Sequence, residues 1–184
     1  SPSRSPKATP SGYSENETSV ISASVRLAKS PSAPACSPVS FHFNYDTYAL
    51  SKLTSEAVTK AGSNTWYFIS ADYAFGHALQ RDATKFIEAA GGKVIGSAAH
   101  PLGSTDMASF LLQAQGSKAK VVGLATSGAD VQTAIKQAGE FGIVESGQQL
   151  AGLLVFITDV NALGQSMPTQ WQHDMDALAT RWRA

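Results

Sequence analysis

From Tyr45 onward, apolar positions along the chain follow two alternating rhythms. In "TYALSKLTSEAVTKAG" they recur every three or four residues, the spacing of one helical face. That spacing turns Leu50, Leu53 and Ala57 toward a core, and Gly62 stands where a helix would stop. "TWYFIS" is a short unbroken apolar run, the pattern of a strand covered on both faces. The next helical stretch is predicted to bury Phe75, Leu79, Ala83, Phe86, Ile87 and Ala90, and it ends at Gly91 and Gly92. "KVIGSA" is the second predicted strand. "STDMASFLLQAQG" is the third helix, with Met107, Phe110, Leu111 and Ala114 on its core face. Thr105 is placed to cap its first turn, and Asp106 suits the positive end of its dipole. "KVVGLA" is the third strand. "SGADVQTAIKQAGEFG" is the fourth helix, with Ser127 and Asp130 at capping-box spacing and Gly142 as the stop. "QLAGLLVFI" reads as the fourth strand. Pro168 opens a last amphipathic segment with Trp171, Met175, Leu178 and Trp182 at helical spacing.

Helix and strand alternate with strands of a few residues each, which predicts an α/β fold. Crossovers between parallel strands are right-handed, so helices cover both faces of a three-layer parallel sheet. Ligands of such sheets bind outside the carboxyl ends of the strands. That rule selects three junctions: "SADYAFG", "GLATSGAD" and "FITDVNALG". Before Tyr45 the texture differs. Residues 1–17 are rich in Ser and Pro, "TSVISASV" has the pattern of a short strand, and "KSPSAPACSP" reads as a linker. The expected organisation is an irregular segment over 1–44, an α/β lobe over 45–164 and an amphipathic helix over 165–184.

Composition narrows the chemistry. The 184 residues are 43% hydrophobic and 15% charged, with 14 basic and 14 acidic side chains and no net charge. A broad basic surface for nucleic acid is not expected. No apolar run approaches the roughly 20 residues of a membrane helix, and no signal-peptide pattern is visible in the chain. The one cysteine, Cys36, cannot form an internal disulfide. Neither a Gly-rich phosphate loop nor a nucleophile elbow occurs. The histidines, His42, His77, His100 and His173, lack metal-ligand spacing. His77 is either a helix-surface residue or a ligand contact. No cofactor or metal is expected, and an enzyme is the weaker class of function.

Four stretches in order, "NYDTYAL", "ADYAFGHAL", "SFLLQAQGSKAKVVGLA" and "AIKQAGEFGI", resemble the type I periplasmic solute-binding proteins of ABC importers. These include the leucine/isoleucine/valine, amide and aromatic-acid binders. The likeness runs from about Thr18 to Gly164. It implies two α/β lobes that close on a small solute and present it to a membrane permease, in the periplasm. The chain resembles mainly lobe two with a remnant of lobe one. "QSMPTQWQHDMDALATRWRA" does not look like the family's continuation, and residues 1–17 match nothing in it.

The resemblance makes the aromatic before Gly76, Phe75, the ring that packs on ligand, with Tyr73 close by. By spacing alone Phe75 belongs to a helix core face. Asp72 either receives a ligand donor or caps its helix. Thr126 and Ser127 match the position of ligand contacts, and Ser127 also suits an N-cap. Thr158 and Asp159 match the region where amino-acid binders place an acid for the ammonium group; otherwise Asp159 begins a loop. Tyr45 and Tyr48 are placed to reach the cleft, or else mark a helix start that Asp46 caps. The leading expectation is capture of a small amino acid or aromatic carboxylate, weakly, because one lobe offers half the contacts. The alternative is a ligand-sensing or protein-interaction domain without a transport role, self-associating through an exposed sheet edge.

Overall fold

The protein is described by a computed structural model, covering residues 45–169 and 171–173. The chain divides into two compact units, 1–44 and 45–184, and every described residue belongs to the second. The strand and linker expected before Tyr45 and the positions Met175, Leu178 and Trp182 lie outside the described residues.

The elements are α1 (Thr47–Lys60), β1 (Thr65–Ala71), α2 (Ala74–Ala89), β2 (Lys93–His100), α3 (Ala108–Gly116), β3 (Val121–Ala125), α4 (Ala129–Glu140), β4 (Gln149–Gly152) and α5 (Ile157–Leu163), followed by a 3-10 turn at Gly164–Ser166. All strand pairs are parallel, in the order β2-β1-β3-β4. This is the three-layer α/β lobe that the alternation predicted.

Alternate side chains of a strand point to opposite faces, and the two cores follow that parity. Trp66 and Phe68 pack with Leu79, Ala83 and Ile87 of α2 and with Val121 and Ala125 of β3. Tyr67 and Ile69 pack with Met107, just before α3, with Leu111 of α3 and with Val131 and Ile135 of α4. The β1 rings need room over the neighbouring strands, and glycines provide it. Tyr67 is in register with Gly96 and Phe68 with Gly123. A Cβ on Gly96 would stand 2.7 Å from the Tyr67 ring, and one on Gly123 would overlap the Phe68 ring.

The structure corrects several local expectations. The buried face of α1 is Thr47, Ser51, Ser55 and Thr59; of the expected core positions Leu50 is partly buried against the core, while Leu53 and Ala57 are exposed. Leu53 is 73% exposed. The hydroxyls win because α2 and β1 offer partners. Thr47 Oγ1 donates to Asp82 (2.8 Å), Ser51 Oγ to the Leu79 carbonyl (3.0 Å), and Trp66 Nε1 donates to Thr59 Oγ1 (3.1 Å). At α3, Asp106 rather than Thr105 accepts the first free amide, that of Ala108, at 2.8 Å. At α4 no capping box forms. Gly128 takes the cap with φ +62°, and Asp130 turns to the Gly103 amide instead (3.1 Å). The fourth strand stops at Gly152, and Ile157 already begins α5.

β1 leads to β2 on one side, while β3 joins β1 on the other. The connections after β1 and β3 therefore diverge and leave a crevice at their carboxyl ends, where open α/β sheets bind ligands.

Candidate functional site

α2 folds back on the end of β1 so closely that a Cβ on Gly76 would overlap the Ala71 carbonyl. Only glycine allows that turn, and it presents Asp72, Tyr73 and Phe75 along the rim. The Tyr73 and Phe75 rings lie 5.9 Å apart, tilted by 34°. Both are partly buried. Burial pushes the Tyr73 phenol above its usual range; a hydrogen bond with Ser127 works against this, and the nearby Asp130 and Tyr45 add to it. Tyr73 and Ser127 thus bring the end of β1 beside the end of β3. Ser127 is available for this because Gly128, not Ser127, occupies the cap of α4.

Thr126 is the last residue before that turn, and it is buried with no partner for its hydroxyl among the described residues. Asp72 is turned outward to His77, Oδ1 to Nε2 at 2.8 Å, with both side chains largely exposed. At the third junction the Tyr45 ring meets Phe156 at 5.4 Å. Thr158 is exposed. Asp159 is buried, with Oδ1 accepting from Gln132 Nε2 (2.7 Å) and Oδ2 from the Phe156 amide (2.9 Å). Its carboxylate ties α5 to α4, in the first turn of a helix where the sequence suggested a loop. Tyr48 stands apart from the rim. Its ring meets Phe86 edge-on at 5.0 Å, about three turns into α2. Tyr45, Tyr73, Phe75 and Ser127 are therefore placed at the strand ends with exposed surface, while Tyr48, the buried Thr126 and the engaged Asp159 are not open to the crevice.

Three rim features escaped the sequence reading. Phe156 was absorbed into an overlong strand, since "LLVF" is apolar throughout. His100 ends β2, fully buried, with Nδ1 at 2.9 Å from the Pro101 carbonyl and no partner for Nε2 among the described residues. Gln137 holds the loop after β2 at two points, accepting from the Met107 amide (2.7 Å) and donating to the Thr105 carbonyl (3.0 Å). Gln137 carried no signal beyond its helical position. No group of three His, Cys, Asp or Glu side chains among the described residues is arranged to hold a metal.

A model of the periplasmic binding protein family matches residues 11–184. The chain belongs to that family. The match reaches residues 11–17 and 165–184, which the sequence reading had set apart from the likeness. Among solved structures, the chain is 53% identical to a periplasmic binding protein from Burkholderia mallei over 70% of its own length and 34% of that chain, with a TM-score of 0.67. It is 31% identical to a branched-chain amino acid ABC transporter periplasmic ligand-binding protein from Burkholderia xenovorans LB400, over 66% and 33% of the two chains, with a TM-score of 0.63. It is 26% identical to an amino acid ABC transporter substrate-binding protein from Pseudomonas fluorescens Pf-5, over 70% and 35%, with a TM-score of 0.63. The chain spans about a third of the length of these family members. A comparison with curated proteins gives no match. The family is non-enzymatic, in line with the expectation of binding without turnover.

Proposed function

We propose that this lobe supplies one jaw of a periplasmic solute-binding protein that serves an ABC importer. Its solute is a small amino acid with an apolar side chain or an aromatic carboxylate. The observation that carries this reading is the Tyr73–Phe75 ring pair at the end of β1, with the Ser127 hydroxyl at the end of β3 beside the Tyr73 phenol. The rings offer an apolar and polarisable wall, and the hydroxyls offer directional hydrogen bonds. Amino-acid solutes are favoured by the names of the Burkholderia xenovorans and Pseudomonas fluorescens relatives. In a two-lobed protein, closure about a hinge would bury the solute and expose a face to a membrane permease. No described helix is long and apolar enough to cross a membrane.

Tyr45 completes the proposed contact set, with Thr158 at its edge and Asp72 on the exposed side. The test is a titration of the isotope-labelled chain with leucine and with benzoate, followed by NMR. Shifts confined to Tyr73, Phe75, Ser127 and their neighbours, saturating only in the millimolar range, support the reading. Shifts absent at saturating solute, or centred elsewhere on the lobe, overturn it. Micromolar affinity by isothermal titration would remove the one-jaw part of the proposal.

A further inference from the structure

The rim carries a second pair of rings beside Tyr73 and Phe75. Phe156 follows β4, the neighbour of β3 in the sheet, and its ring lies 5.4 Å from that of Tyr45, tilted by 58°. Phe156 and Tyr45 are each 38% exposed. Tyr45 is also close enough to Tyr73 to act on its phenol. Four aromatic side chains therefore share the carboxyl ends of β1, β3 and β4, and each keeps part of its surface open.

The acids around these rings are already committed. Asp159 is buried, and both its oxygens are taken, by Gln132 Nε2 (2.7 Å) and by the Phe156 amide (2.9 Å). Asp130 is buried and accepts from the Gly103 amide at 3.1 Å. Asp46 accepts from the Ala49 amide at 2.6 Å. Asp72 is turned to water and to His77, at 2.8 Å, with its side chain 62% exposed. Cations are missing as well: the junction segments 71–77, 125–131 and 153–159 contain no lysine or arginine. A solute ammonium drawn in among the rings would lose its water without a free acid to meet it, and a carboxylate would lose its water without a cation. An aromatic ring has the opposite balance. It sheds water readily and gains from edge-on and offset contacts with other rings.

We propose, resting on the binding function above, that this lobe seats the aromatic ring of its solute and takes up none of its charge, with Phe156 and Tyr45 forming the second wall of the ring site. The solute class is then an acid that bears an aromatic ring, aromatic amino acids included. Asp159 has no direct part in recognition; it fixes the turn that presents Phe156.

The test is an NMR titration of the isotope-labelled chain with benzoate, with its neutral counterpart benzamide, and with leucine. Benzoate and benzamide are expected to bind within about threefold of each other, because a charge left in water contributes little. Leucine is expected to bind about tenfold more weakly than benzoate, for want of ring contacts. Phe156→Leu keeps apolar volume and removes the ring; it is expected to weaken benzoate about threefold and to leave leucine unchanged. Leucine binding as tightly as benzoate, or benzamide binding far more weakly than benzoate, would overturn this inference and leave the binding function standing. So would a benzoate affinity that Phe156→Leu does not change. Absence of shifts with all three compounds would overturn the binding function and this inference together.

Discussion

Ser127 had two possible partners, and its backbone decides between them. A serine before a helix normally accepts an amide of the first turn. Gly128, at φ +62°, takes the cap position and puts Ser127 outside the helix, where its hydroxyl meets Tyr73. Ser127→Ala should therefore leave α4 intact and raise the Tyr73 phenol further, because the nearby hydroxyl that lowers it is gone. An alkaline absorbance titration, with Tyr73→Phe as the reference, reads this directly. The stability consequence follows in sign. Tyr73 ionises at higher pH folded than unfolded, so its contribution is full below about pH 10 and is lost as pH rises toward the folded value. The serine deletion widens that window. Thr59 supports a different ring. Its hydroxyl takes the indole N–H of the fully buried Trp66, so Thr59→Val should cost about 1–3 kcal/mol by leaving that donor unpaired, seen as a lower denaturant midpoint. Hydropathy could not reveal this role. It scores Leu53 as core and Thr59 as surface, whereas three of the four buried hydroxyls of α1 find partners 7 to 35 positions away.

Whole elements were more legible than their ends. The strand runs of β1 and β3 and the helical stripe Leu79, Ala83, Ile87 appear in the structure as the periodicity placed them, because each buries an apolar face that only one rhythm can satisfy. The end of β4 was illegible because "QLAGLLVFI" is apolar through both the strand and the turn that follows it. What stops the strand is local crowding and one acid. Val155 and Trp171 fill the space above Gly152, and Asp159 captures the Phe156 amide to start α5. Asp159→Ala isolates that effect. Both acceptors are lost, and the Phe156 amide and the Gln132 NH₂ are left without their partner. The expected loss is about 1–3 kcal/mol, with an unchanged slope in urea. A solute-binding role for Asp159 alone would leave stability untouched. Gly123→Ala probes the sheet in the same way. Its methyl would overlap the Phe68 ring in the centre of β1–β3, and overpacking of this kind costs about 1–3 kcal/mol.

At the scale of the molecule, a jaw and a clamp differ by mass action. The rim contacts gathered at β1 and β3 all come from one side of the crevice, so a solute held there keeps much of its surface in water. Half-site binding near 1 mM would stabilise the chain, at 1 mM solute, by RT ln 2, about 0.4 kcal/mol. In a chain of this size that moves the melting temperature by about 1–2 °C. A closed two-lobed site at about 1 μM would give roughly 4 kcal/mol under the same conditions, and a shift near or above 10 °C. Scanning calorimetry of the chain with leucine, and separately with benzoate, is therefore expected to show the small shift, and Tyr73→Ala is expected to abolish it. A shift of the larger size would mean that this lobe encloses its solute without a partner. The physical inference from the open crevice would then be wrong, even though the fold and the family stand.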